Sequence, residues 1–126
     1  MALSATPSGD GVVRIPGIDQ LEAFGIASVN VGSTGTLEVL ADTGIATLPL
    51  EVTVCQTNPT DGVCLETPAD SVTSESLSQD FQTHTVFARA TGDVPLDPAA
   101  NRIRLVFLEG GVVRGITSVA VTTDAQ

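Results

Sequence analysis

The stretch LPLEVTVCQTNPTDGVCL, residues 48–65, combines an alternating segment, a turn and both cysteines of the chain. Leu50, Val52 and Val54 alternate with polar residues, as in a β-strand that has one face on a core and the other in water. The NPTDG that follows is rich in residues that favour turns. The stretch therefore predicts a strand that enters a tight turn and returns.

The two cysteines, Cys55 and Cys64, lie at the two ends of this turn. If they oppose each other across a hairpin, Thr57 pairs with Gly62 and residues 58–61 form a four-residue loop. Opposed residues in a sheet bring their β-carbons to about the separation that a disulfide needs. We predict a structural disulfide here. Free thiols and a metal or redox pair are the alternatives, although two thiols and a single His in the chain do not complete a zinc site.

Outside this stretch the chain repeats the same pattern of strand and turn. Its 126 residues are enough for one domain, and 42% of them are hydrophobic. Strands are predicted within FGIASVNVGS (24–33), GTLEVLADTG (35–44) and NRIRLVFLEG (101–110), and a returning strand within VCLETPA (63–69). SVTSESLS (71–78) predicts a polar edge strand. In all we expect about seven strands, which is typical of a two-sheet sandwich.

Particular positions fix which face of each strand is buried. Ile103, Leu105 and Phe107 are predicted to face the core, with the arginines between them facing water. Gly110 and Gly111 predict a tight hairpin before the last strand.

The N-terminal region does not fit the sandwich pattern. We predict an extension over residues 1–22, made of a polar tail and a short edge strand in GVVRIPG (11–17). Asp19 and Glu22 have capping-box spacing, which predicts one helical turn. The sandwich domain is then expected over residues 23–126.

Three segments together resemble a known family. LPLEVTVCQTNPTDGVCL, GDVPLDPAANRIRLVF (92–107) and VVRGITSVAV (112–121) resemble an immunoglobulin-like module found, often in tandem, in large secreted or surface proteins of bacteria. The resemblance covers about residues 23–123. It implies an all-β, Ig-like antiparallel sandwich of two sheets in an extracellular or cell-surface setting. It supplies no catalytic residues.

Charge limits the classes of partner. The formal net charge is −10, and all five basic residues are arginines. Nucleic acids and anionic membrane surfaces would be repelled, and no stretch is apolar enough to insert into a membrane. The partners expected are proteins, either a second copy or neighbouring domains of a parent chain. The start, MALSATPSGD, lacks the features of a signal peptide. If the protein is exported, we therefore expect either that its signal has been removed from this sequence or that the sequence is one domain of a longer chain.

Residues that could carry chemistry are few. His84 lies at the start of a predicted strand and is expected to be exposed or at a strand end. Asp93, Asp97 and Asn101 carry oxygen ligands of the type that calcium prefers, although Asp97 and Asn101 also fit the two ends of a turn. The chain has no Trp or Tyr for sugar stacking. No cofactor is expected, with calcium as the alternative.

These observations favour one function and leave a second open. The first is a non-enzymatic structural or interaction module of a bacterial surface or secreted protein. The second is a self-assembling subunit of a filament, sheath or pilus-like structure. In that case the segment at 1–22 would add a strand to the sheet edge of a neighbouring copy. An enzyme is not expected, because no motif places a nucleophile beside a base.

Overall fold

The computed structural model describes residues 2–5, 11–29, 35–43, 48–58, 60–76 and 81–123. Within these ranges the chain is all-β, with nine strands and no helix. The strands are β1 Ala2–Ala5, β2 Val12–Arg14, β3 Leu21–Val29, β4 Gly35–Asp42, β5 Leu50–Thr57, β6 Ser71–Ser76, β7 Phe81–Ala90, β8 Arg102–Glu109 and β9 Val112–Thr122.

The strands form two sheets. A four-stranded sheet has the order β1-β3-β7-β5, and a five-stranded sheet has the order β2-β9-β8-β4-β6. The pairings are antiparallel, apart from that of β2 with β9, which is parallel. Consecutive strands β4, β5 and β6 alternate between the sheets, so the chain crosses from one sheet to the other on either side of β5.

The core lies between the two sheets, because residues from both form one buried cluster. Alternate residues of β7 and β8 face it, as the burial of Val86 and Ala88 and of Ile103, Leu105 and Phe107 shows. This confirms the inward face predicted for β8 and gives a β-sandwich-like arrangement. The fully or nearly fully buried members are Val13, Ile15, Phe24, Ile26, Val39, Ala41, Val54, Val86, Ala88, Ala90, Val94, Ile103, Leu105, Phe107, Val119 and Val121.

The N-terminal segment is integrated into both sheets, which the prediction of a polar tail did not anticipate. β1 pairs with β3, while β2 runs parallel to the end of β9. Val13 and Ile15 are 0% and 1% exposed and belong to the shared core. The predicted boundary at residues 22 and 23 falls inside β3, a continuous strand. Burial of these apolar side chains is the physical reason that the segment joins the sandwich.

The helical turn predicted from Asp19 and Glu22 is wrong. Asp19 has a φ of +66°, which is outside the right-handed helical region. Its backbone N–H donates to the carbonyl oxygen of Ala90 over 2.8 Å. The backbone N–H of Ala90 in turn donates to the carbonyl oxygen of Gln20 over 3.3 Å. The chain therefore makes a tight turn whose hydrogen bonds continue the sheet, and Glu22 already lies in β3.

The hairpin between β8 and β9 is confirmed. Gly110 and Gly111 have φ angles of +58° and +81°, which suits the tight turn whose two central residues both need positive φ. A β-bulge follows it, where the register between β8 and β9 shifts between Phe107 and Leu108.

The strand predicted at 63–69 does not form as a regular strand. Cys64 and Ala69 make only isolated bridges, to Thr57 and Val54. The segment instead carries the chain from β5, at the edge of one sheet, to β6, at the edge of the other. Val54 and Ala69 exchange two backbone hydrogen bonds of 2.7 and 3.0 Å. The segment thus covers part of the β5 edge without extending the sheet.

Candidate interaction surface

The disulfide between Cys55 and Cys64 is confirmed, with the two α-carbons 5.6 Å apart. Cys55 is fully buried on β5, on the side of the strand opposite to Val54. The predicted register is wrong by two residues, since Cys64 forms its bridge with Thr57 rather than directly opposite Cys55. Both registers keep the two cysteines on one side of the hairpin, so the bond forms in either case.

Side chains in the turn account for the change of register. The N–H of Asn58 donates to the carbonyl of Val63 over 2.9 Å, and this pair closes the turn. The carboxylate of Asp61 accepts from the N–H of Val63 over 3.0 Å, and the amide oxygen of Asn58 accepts from the N–H of Thr60 over 2.9 Å. Asn and Asp side chains often hold turns in this way. Gly62, with a φ of +74°, takes the left-handed position.

The turn presents two large apolar side chains to solvent. Val63 and Leu65 flank Cys64 and are 61% and 58% exposed. A hydrogen bond of 2.8 Å from the N–H of Leu65 to the carbonyl of Gln56 holds this segment against β5. We call residues 60–66 the hairpin tip. It is an exposed apolar element on a covalently fixed support.

A second apolar cluster lies on the five-stranded sheet. Leu40 of β4 is paired with Val106 of β8, and Val106 is paired with Ile116 of β9. In the neighbouring row, Leu108 is paired with Val113. Paired residues have side chains on the same face of a sheet. We call these five residues the apolar face.

The apolar face is on the outside of the sandwich. Val106 and Leu108 alternate along β8 with Leu105 and Phe107, which face the core. Val113 and Ile116 are 52% and 51% exposed. Val106 is almost fully covered by its neighbours although it lies outside the core cluster. A contiguous apolar patch of this kind is typical of a protein contact site, whereas single exposed hydrophobic residues are not.

Arginines border the apolar face along β8. Arg104 makes a two-pronged contact with Asp42, with Nε 2.8 Å from Oδ1 and Nη2 3.0 Å from Oδ2. The hydrogen bond to Asp42 raises the pKa of Arg104 above its usual value. Arg102 donates to Ser118 Oγ over 3.0 Å and to the carbonyl of Pro98 over 2.7 Å. The acceptors of Arg102 within the described residues are neutral oxygens, so no carboxylate among them offsets its positive charge at hydrogen-bond distance.

His84 is buried in the core, so the prediction of an exposed or strand-end histidine is wrong. It is 1% exposed and lies within β7, between Ile26 of β3 and Gln56 of β5. Its ring makes an edge contact with that of Phe107, with centroids 6.2 Å apart. Neither ring nitrogen has a hydrogen-bond partner. Burial lowers the pKa of His84 to about 4, because the charged imidazolium would lose its hydration.

The residues considered for calcium are held in a turn. The carbonyl of Asp97 accepts from the N–H of Asn101 over 2.8 Å, and the side-chain amide of Asn101 donates to the carbonyl of Pro95 over 3.0 Å. This confirms the turn interpretation for Asp97 and Asn101. Asp93 is exposed. Within the described ranges, no group of three or more His, Cys, Asp or Glu side chains is placed to hold a metal ion.

Comparisons with known proteins give no family for this chain. No protein-family model matches it, and no curated protein matches it. The part of the chain that the structure describes contains no helix that could cross a membrane.

Sequence reasoning missed the apolar face because its residues come from three strands. The alternation of β8 correctly placed Arg102 and Arg104 outward, but Val106 lies on the same face. Leu40 likewise lies between Glu38 and Asp42 on the outer face of β4. The available signal was an apolar residue among the outward-facing polar residues of each strand, Leu40 in β4 and Val106 in β8. Only the pairing of β4 with β8 shows that these two residues lie side by side.

Proposed function

We propose that the chain is a non-enzymatic structural or interaction module with an immunoglobulin-like fold, from a bacterial surface or secreted protein. The strand order carries this proposal. Immunoglobulin domains place strands A, B, E and D in one sheet and C, F and G in the other. The four-stranded sheet β1-β3-β7-β5 matches the order A-B-E-D, and β9-β8-β4 matches G-F-C.

Two features depart from that pattern. The strand next to C, which is β6, follows the strand in the D position, β5, whereas the extra strands of variable-type domains come between C and D. The disulfide does not join the two sheets as the B–F bond of antibody domains does, because Cys55 and Cys64 staple one hairpin. We therefore propose a sandwich fold related to that of immunoglobulin domains, but not an antibody-type domain.

The disulfide supports an extracellular setting. Disulfides persist in oxidising compartments and are rare in the bacterial cytosol. Both cysteines of the chain are used in this bond, and the described structure has no free thiol. The buried position of Cys55 indicates a structural role, because a redox-active cysteine needs access to solvent.

The redox state of the chain in its source cells tests the extracellular setting. Cells are lysed in an alkylating reagent, and the mass of the chain is measured with and without prior reduction. We expect both cysteines to be protected until a reductant is added. The matched control is recombinant chain reduced beforehand, in which both thiols are labelled. A chain labelled in cells without reduction would contradict an extracellular setting.

The alternative of strand addition by the N-terminal segment stays a prediction. β1 and β2 here pair within the chain's own two sheets. Addition to a neighbour would therefore require copies to exchange these strands, leaving Val13 and Ile15 to fill the core of the neighbour.

A further inference from the structure

Each molecule exposes two separate apolar surfaces, the hairpin tip and the apolar face. The tip extends from β5 in the four-stranded sheet, whereas the apolar face is on the outside of the five-stranded sheet. Val63 and Leu65 are exposed at the same time as Val113 and Ile116. The chain therefore does not cover either surface with the other, and both remain available to a second molecule.

The hairpin tip is held rigidly by covalent and hydrogen bonds. The disulfide joins it to β5 at Cys55, and backbone hydrogen bonds at Asn58 and Leu65 fix both sides of the turn. A rigid element loses little conformational entropy when it is immobilised in a complex. Two adjacent apolar side chains on such a support are a suitable anchor for an apolar sheet face.

Charge favours a second copy of this chain as the partner. The hairpin tip carries Asp61 and Glu66 and no basic residue. At one end of the apolar face, Arg102 contacts neutral oxygens among the described residues, and Arg104 is paired with Asp42. The exposed Glu38 lies at the other end, opposite Leu108, so the acidic residues of the tip fit at the Arg102 end. In a chain of net charge −10, most other approaches bring like charges together.

We propose that the hairpin tip of one copy docks on the apolar face of a second copy, with the acidic residues of the tip next to Arg102. The two surfaces in this contact are different, so each docked copy still presents one free tip and one free face. Contacts of this kind grow into rings or open chains of molecules instead of stopping at a symmetric dimer. This inference goes beyond the proposed module function and does not depend on the extracellular setting.

The test measures the mass of the purified chain in solution and uses variants at each surface. The tip variant carries Val63→Ser and Leu65→Ser, and the face variant carries Val113→Thr and Ile116→Thr. The matched control is Leu21→Thr, because Leu21 is 57% exposed on β3 in the other sheet. All these positions are exposed, and circular dichroism and thermal melting check that each variant is folded. If a double variant is unfolded, Leu65→Ser and Ile116→Thr are used alone.

Light scattering and sedimentation are run up to about 1 mM chain, where weak association is still detected. The wild-type chain and the Leu21→Thr control are expected to grow in mean mass with concentration. The tip variant and the face variant are each expected to associate about tenfold more weakly, because each loses an apolar anchor.

A mixture of the two variants distinguishes this contact from a symmetric one. The tip variant keeps an intact face and the face variant keeps an intact tip, so an equal mixture should form a complex of two chain masses and stop there. A symmetric contact between two apolar faces would leave the tip variant associating like the wild type, which would overturn the proposal. A wild-type chain that stays monomeric at all concentrations would also overturn the proposal. That result would not affect the proposed function, which is tested separately by the thiol labelling.

Discussion

His84 makes folding stability depend on pH between about pH 6.5 and pH 4. It is the single histidine of the chain, and the ring lies in the core with no hydrogen-bond partner on either nitrogen. Its neighbours in the adjacent strands are Ile26 and Gln56, and Phe107 is in edge contact. None of these three residues can offset a positive charge on the imidazole.

The direction and size of the stability change follow from the pKa of His84 in the folded and in the unfolded protein. In the folded protein the pKa of His84 is lowered to about 4, against 6.5 for an unperturbed histidine. The unfolded chain therefore binds a proton first as the pH falls. Stability is complete above about pH 6.5, decreases through the interval between the two pKa values and levels off below about pH 4. At about 1.4 kcal/mol per pKa unit, the loss is about 2 kcal/mol by pH 5 and about 3 kcal/mol by pH 4.

The assay is urea unfolding at about pH 7.5, 6 and 5 for the wild type and for His84→Leu. Leucine is close in volume to histidine and has no titrating group, so its stability should change less across this range. Carboxylates begin to titrate at the lower end, but they are the same in both chains and cancel in the difference. We expect the wild type to lose about 2 kcal/mol more than the variant between pH 7.5 and pH 5.

Equal pH dependence in the two chains would refute this reasoning. A direct check is the NMR titration of the single histidine in the folded protein. A midpoint near 6.5 would mean that the imidazole is hydrated or has a partner, which would contradict the buried position between the sheets.

Three further predictions concern stability, each measured by urea unfolding at neutral pH. Replacing Cys55 and Cys64 together by Ala should cost about 3 kcal/mol, from the entropy of closing a short loop with a sequence separation of 9; an unchanged midpoint would show that the turn alone holds the hairpin. Val13→Ala should cost about 2 kcal/mol, because it leaves a cavity where β2 meets the core; a neutral result would mean that β2 detaches freely. Gly111→Ala should cost about 1 kcal/mol for its positive φ alone, with Gly25→Ala as the control, since an added β-carbon meets no atom within 4 Å at either position.

Much of the sandwich was predictable because local patterns agreed with the long-range packing. The alternation in β5 and β8 identified the buried faces, since a strand with one face on a core must alternate. The Gly110-Gly111 hairpin needs glycine on steric grounds alone. The disulfide followed because the predicted register and the observed one differ by two residues, and both keep Cys55 and Cys64 on one side. These features depend on residues within about ten positions of one another.

The errors came from contacts between distant parts of the sequence. β2 is only three residues long, and its burial depends on the parallel pairing with β9, which lies about a hundred residues away. The position of His84 was misjudged because Phe81 to Thr83 was not recognised as part of β7. The signal was nevertheless present, since His84 is in phase with Val86 and Ala88, which are buried. The register at the cysteines depended on hydrogen bonds that the side chains of Asn58 and Asp61 accept from backbone N–H groups, which a pairing scheme does not include.

The parallel pairing of β2 with β9 also determines how the sandwich carries mechanical load. If tension is applied through residues 11 and 123, the start of β2 and the end of β9 are pulled in opposite directions along the axes of the two strands. The hydrogen bonds between them, including those from Ala120 to Gly11 and from Ile15 to Thr122, both 2.9 Å, then lie across the direction of force. They are loaded together in shear and are not opened one at a time, so the pairing of β2 with β9 resists stretching between these two points.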